Sequence, residues 1–156
     1  MIPERIVIDT NVCLDLFVFR DPRWAILHDA LKSGRIEAVT RDDCRNEWLA
    51  VLHYNHLPLD ELSRPRATAE FDALIRCIHA DQLERKIEVI LPVCKDGDDQ
   101  KFLEVARDAG AAVLITKDKA LLKLAKRTAR IGLFRIMTPE AWVAAEQPEP
   151  ALPVCG

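Results

Sequence analysis

The chain has no excess of positive charge, no long apolar run and no paired cysteines. Its 25 acids outnumber its 22 lysines and arginines, leaving a net charge of −3. A chain so balanced is not a general coat for nucleic acid, and any phosphate contact has to come from a local basic face. No apolar run approaches the ~18 residues that a membrane span needs. The opening Met1-Ile2-Pro3-Glu4-Arg5 lacks the basic and apolar stretches of a secretory leader. Cys13, Cys44, Cys77, Cys94 and Cys155 form an odd, scattered set without a Cys-x-x-Cys pair. That usage predicts reduced thiols in a cytoplasmic protein, and the lack of a long apolar run predicts no association with membrane. His53 and His56 have no cysteine near them in sequence, so no structural zinc site is expected there. No aromatic platform for base stacking stands out, so no sequence preference is inferred.

What the chain has is a regular alternation of patterns. Ile6-Val7-Ile8, Ile36 to Thr40, Ile87 to Leu91, Ala112 to Ile115 and Leu133 to Ile136 are short runs suited to strands. Between them lie segments with helical spacing: Leu14 to Phe17, Trp24 to Leu31 before Gly34, Cys44 to Leu52, and Phe71, Leu74, Ile75 and Ile78. Phe102 to Ala109 before Gly110, and Leu121 to Ala125, continue the series. Thr138-Pro139-Glu140 reads as a helix start with Pro in the first turn. Strands alternating with helices predict a three-layer α/β/α sandwich around a central, mainly parallel five-stranded sheet. The expected domain covers residues 1–146, and residues 147–156, rich in proline, read as an irregular tail.

Four acids fall where such a sheet binds ligands, beyond the carboxyl ends of its strands. Asp9 follows the first strand, and Asp118 lies two residues beyond Thr116 at the end of the fourth. Asp99 opens the helix before that strand, and Glu47 lies on the shoulder of an apolar helix face. Each also has an ordinary reading, since Asp is favoured at helix starts and a helix-face Glu is usually solvated. Together they would repel one another unless cations offset the charge. Oxygen-only ligands favour Mg²⁺ or Mn²⁺ over Zn²⁺, and a pair of such ions suits hydrolysis of a phosphodiester.

The stretch Ile6-Val7-Ile8-Asp9-Thr10-Asn11 resembles the opening of PIN domains. Cys44 to Leu52 is similar to the family's helix with the second acid, at Glu47, and Asp96-Gly97-Asp98-Asp99-Gln100-Lys101-Phe102-Leu103 to the third element. Leu114-Ile115-Thr116-Lys117-Asp118 resembles the Thr-x-Asp element that ends the fourth strand. The resemblance covers about residues 5 to 137 and is strongest to a bacterial subgroup described as toxins of toxin–antitoxin pairs. It implies a cytoplasmic endoribonuclease, often a homodimer, that cuts single-stranded RNA with Mg²⁺ or Mn²⁺ and pairs with a small antitoxin protein. It further implies Asp9, Glu47, Asp99 and Asp118 as metal-binding catalytic acids, Asn11 as a hydrogen-bonding support for Asp9, and Asp96 and Thr116 as companions. The alternative is a catalytically silent PIN-like module that binds RNA or protein. A phosphotransferase of the haloacid dehalogenase type needs a second acid two residues after the first, where this chain has Asn11.

A basic stripe begins beside Asp118. Lys117 adjoins it, and Lys119, Lys123, Lys126 and Arg130 follow with three- and four-residue spacing. That spacing predicts one helix face offering them together to RNA phosphates, against the plainer reading of a solvated surface.

Overall fold

A computed structural model describes residues 3–146 of the chain; the proline-rich tail at 147–156 lies outside the described residues. The chain runs β1 (Glu4–Ile8), α1 (Thr10–Phe17), α2 (Ala25–Ser33), β2 (Ile36–Arg41), α3 (Asp42–Val51), α4 (Ser63–Leu74) and β3 (Ile75–Ile78). It continues through α5 (Gln100–Asp108), β4 (Val113–Ile115), α6 (Lys119–Leu122), α7 (Ala125–Arg130), β5 (Arg135–Met137) and α8 (Pro139–Glu146). All pairings are parallel, in the order β3-β2-β1-β4-β5.

Successive side chains of β1 feed opposite faces of the sheet. Ile6 and Ile8 join one core with Leu16, Phe17, Leu27 and Trp48, while Val7 joins the other with Phe102, Leu103 and Leu114. Burial on both faces is why these strands are continuous apolar runs rather than alternating ones. The result is the expected α/β/α sandwich. Gly34 ends α2 at φ 76°, a left-handed geometry that favours glycine. Among the described residues no helix is long and apolar enough to cross a membrane.

The third strand is not where the apolar pattern predicts it. Ile75 and Ile78, expected on a helix, form β3 against Ala38 to Arg41 of β2. Residues 87–91, expected as a strand, are irregular, with Ile87 and Ile90 exposed at 68% and 82%. Side chains of α5 hold that segment instead: Arg107 donates to the Val89 carbonyl at 3.1 Å, and the Lys86 N–H donates to Asp108 at 2.9 Å. The open edge of β2 decides the matter, because strand preference largely reflects fit to a neighbouring strand. The last strand also sits later than expected, at Arg135–Met137.

The sheet order places the site. From β1 the chain builds outward on one side through β2 and β3, then crosses to β4 and β5 on the other. The carboxyl ends of β1 and β4 therefore flank the point where connections diverge, the usual ligand crevice of such sheets.

Candidate metal centre

Asp9 directly follows β1, and its N–H still pairs with the Ile115 carbonyl of β4 at 2.9 Å. Its carbonyl accepts from Val12 and Cys13, opening α1, while its carboxylate makes no cap to that helix. Oδ2 instead accepts the Thr116 hydroxyl at 2.7 Å. Thr116 is fully buried at the end of β4, and its Oγ1 also accepts the Asp118 N–H at 2.9 Å. One threonine thus fixes both the Asp9 side chain and the Asp118 backbone.

Asp118 caps α6 through Ala120 N–H at 2.8 Å, and Asp96 likewise accepts from Asp98 N–H at 3.1 Å. Of the acids with a capping reading, Asp118 does cap, while Asp9 and Asp99 make no side-chain cap; Asp96 and Asp118 each keep an oxygen for other work. Asp96, Asp99 and Asp118 each offer a carboxylate oxygen within 4.8 Å of the others. Asp99 is only 8% exposed, and its Oδ2 is buried without a hydrogen-bond partner. A buried carboxylate oxygen left unpaired is costly, so its presence calls for a ligand. Oxygen donors of this kind fit a hard divalent cation.

Charge in the cleft is visibly out of balance. Burial, then the hydrogen bond to Asp118 and the charges of Asp9, Asp118 and Asp96, push the Asp99 carboxyl up to about 8. The same bond holds Asp118 below the usual carboxylate range. Burial raises Asp9 to about 6 against the pull of Thr116 and Thr10, with Glu47 and Asp118 adding to the rise. Asp9 and Asp99 each feel their acidic neighbours, as a shared pocket requires.

Glu47 enters from α3 and lies outside the close group of three. Its Oε2 accepts the Thr10 hydroxyl, and its Oε1 lies 2.9 Å from Lys101 Nζ. Burial works against the Lys101 charge, but the Glu47 bond and charge outweigh it and hold the ammonium above its ordinary pKa. Asn11, expected to steady Asp9, is exposed, and the bond it was expected to make is made by Thr116. Thr10 and Lys101 were not singled out in sequence. A lysine in the first turn of a helix opposes the dipole there, which is the signal that marks Lys101.

The basic stripe is broken. Lys119 begins α6, Lys123 closes it, and Lys126 and Arg130 belong to the separate helix α7. All four are exposed, yet the single continuous helix face predicted by their spacing does not form. Leu121 and Thr128 are buried from the two helices, and the chain breaks at Lys123–Leu124 between them. Lys117 is pinned at the rim, its Nζ 2.7 Å from Asp15 Oδ2. Among the described residues His53 and His56 join no group of three His, Cys, Asp or Glu side chains close enough to share an ion.

The sequence matches the model of the PIN domain over residues 5–120. No curated protein matches it. Among solved structures, the chain is similar to one in the crystal structure of VapBC2 from Rickettsia felis bound to a DNA fragment from their promoter. The TM-score is 0.54, with 13% identity over 85% of this chain and 96% of that one. At that identity the likeness concerns the fold.

Proposed function

Because the chain belongs to the PIN domain family, we propose that it is a metal-dependent endoribonuclease that cuts single-stranded RNA at the β1–β4 crevice. The carrying observation is Asp99, buried with an unpaired oxygen inside a carboxylate group spanning 4.8 Å. Asp96, Asp99 and Asp118 would hold Mg²⁺ or Mn²⁺, with Asp9 and Glu47 adding negative charge beside it. A divalent cation bound there supplies a lowered pKa for the attacking water and offsets the charge that builds on the scissile phosphate.

The chain's own residues supply position. Thr116 locks Asp9 and the Asp118 backbone in one frame, and Thr10 with Lys101 fixes Glu47. Holding the acids before substrate arrives removes reorganisation from the reaction step. Lys117, anchored on Asp15, and the exposed Lys119, Lys123, Lys126 and Arg130 provide cations for the RNA backbone. The likeness to a chain of VapBC2 supports a small antitoxin partner. A homodimer working in the cytoplasm completes the reading.

The test is cleavage of single-stranded RNA by the purified chain with Mn²⁺ or EDTA, beside Asp9→Asn. Loss of cleavage in EDTA and in the variant is expected. Cleavage that survives both would end the metal-dependent reading. RNA or protein binding without cleavage under any metal would favour a silent PIN-like module instead.

A further inference from the structure

Lys101 is the second residue of α5, where the positive end of the helix dipole disfavours a cation. Its Nζ nevertheless lies 2.9 Å from Glu47 Oε1 and donates to the Asp98 carbonyl at 2.6 Å. The side chain is 18% exposed, so this pair is partly sheltered from water, and such pairs are screened less than surface ones. Thr10 takes the second oxygen of Glu47. Both Glu47 oxygens are therefore engaged, and Glu47 stands apart from the close group of Asp96, Asp99 and Asp118.

The two halves of the cleft differ in what they lack. The Glu47 half already carries its cation in Lys101. In the other half Asp99 is only 8% exposed and its Oδ2 has no partner, and among the described residues no lysine or arginine forms an ion pair with Asp96, Asp99 or Asp118. We infer that Lys101 is a built-in counter-ion that withdraws Glu47 from the ligand set, so that the site takes a single divalent cation on Asp96, Asp99 and Asp118. The inference rests on the metal-dependent reading of the same site and specifies its ion count. Through the Asp98 carbonyl, Lys101 also links Glu47 of α3 to the turn that precedes Asp99.

The test is Mn²⁺ titration of the full chain, stripped with EDTA and exchanged into chelator-free buffer, followed by the electron paramagnetic resonance of free Mn²⁺ and by calorimetry. The wild type is expected to bind one ion per chain, and Asp99→Asn none. Removing the pair together, Glu47→Gln with Lys101→Met, should keep that single ion within about threefold of wild-type affinity, and Lys101→Met alone should gain a second ion or tighten the first about tenfold. Lys101→Arg, which preserves the ion pair, should match the wild type. Two ions in the wild type, with one lost in the double variant, would overturn the inference while leaving a metal-dependent nuclease intact. An unchanged count and affinity in a folded Lys101→Met would overturn it too. No Mn²⁺ binding by the wild type at all would remove the metal-dependent reading and this inference with it.

Discussion

Two acid-lined clefts open on the same sheet, and they treat their carboxylates in opposite ways. Along the β2–β3 edge runs a roomy cleft of about 1030 Å³ lined by Glu37, Asp42, Arg45, Asp72, Arg76 and His79. Every one of its acids has a base: Asp42 lies 2.7 Å from His79, Asp72 2.8 Å from Arg45, and Glu37 3.4 Å from Arg5 and 3.7 Å from Arg76. Burial pushes the Asp42 carboxyl up, but its bonds to His79, Cys77 and the Ala80 N–H win and hold it below the ordinary range. At the β1–β4 strand ends the pairing fails, and Asp9 and Asp99 rise to about 6 and about 8. Volume marks one cleft and unbalanced charge marks the other. The acids of the β2–β3 edge are matched by bases within the fold, and Asp9 and Asp99 crowd against other acids instead.

That contrast can be broken first by neutralising one acid from each cleft. Asp99→Asn or Asp118→Asn should lower Mn²⁺-dependent RNA cleavage by about 10³-fold, while Asp42→Asn should stay within a few-fold. Equal losses from both clefts in a gel-based cleavage assay would erase the distinction. Next in size is Asp108, the deeply buried member of the paired kind. Its side chain is 1% exposed, bonded to Arg107 at 2.8 Å and to the Lys86 N–H at 2.9 Å. Asp108→Ala should cost about 3–5 kcal/mol in urea unfolding, because it strands the Arg107 guanidinium; a cost under 1 kcal/mol would show that the pair matters little.

The unpaired acids should behave in reverse. Because the folded pKa values of Asp9 and Asp99 are raised, the folded chain binds more protons than the unfolded one between about pH 4 and pH 8. Their contribution is present below the unfolded pKa near 4 and is lost as pH climbs through 6 and 8. Metal-free protein should therefore melt lower at pH 8 than at pH 5.5, with Mn²⁺ restoring more at pH 8. Asp99→Asn should raise the metal-free melting temperature at pH 8 by about 3 °C. A flat pH profile, or a variant that melts below wild type, would contradict the sign. The smallest effect belongs to the exposed pair: Arg45→Ala should change stability by less than about 1 kcal/mol, read from the same melts.

Much of this was legible before any coordinates. Strand ends followed by Asp9 and by Thr116-Lys117-Asp118 point to one crevice because parallel strands put their carboxyl ends on the same side. β3 was not legible, since Ile75 and Ile78 satisfy a helical spacing as well as a strand's, and only the free edge of β2 decides between them. Asp96, expected as a companion of the metal-binding acids, holds the turn through the Asp98 N–H while still reaching the Asp99–Asp118 group. The basic spacing from Lys119 to Arg130 says nothing of the break at Lys123, which depends on Leu121 and Thr128 being buried. Thr10 and Lys101 act across long sequence distances, on a glutamate 37 and 54 residues away; the helix-start position of Lys101 marks it as unusual, but no local pattern names its partner.

The bond between Thr116 and Asp9 joins residues 107 positions apart. During synthesis, β1 and the first two acids emerge early, but the strand that completes the crevice arrives only after more than two thirds of the chain has been made. A growing polypeptide thus carries Asp9 and Glu47 well before it has the strand that brings Thr116 and Asp118 to them.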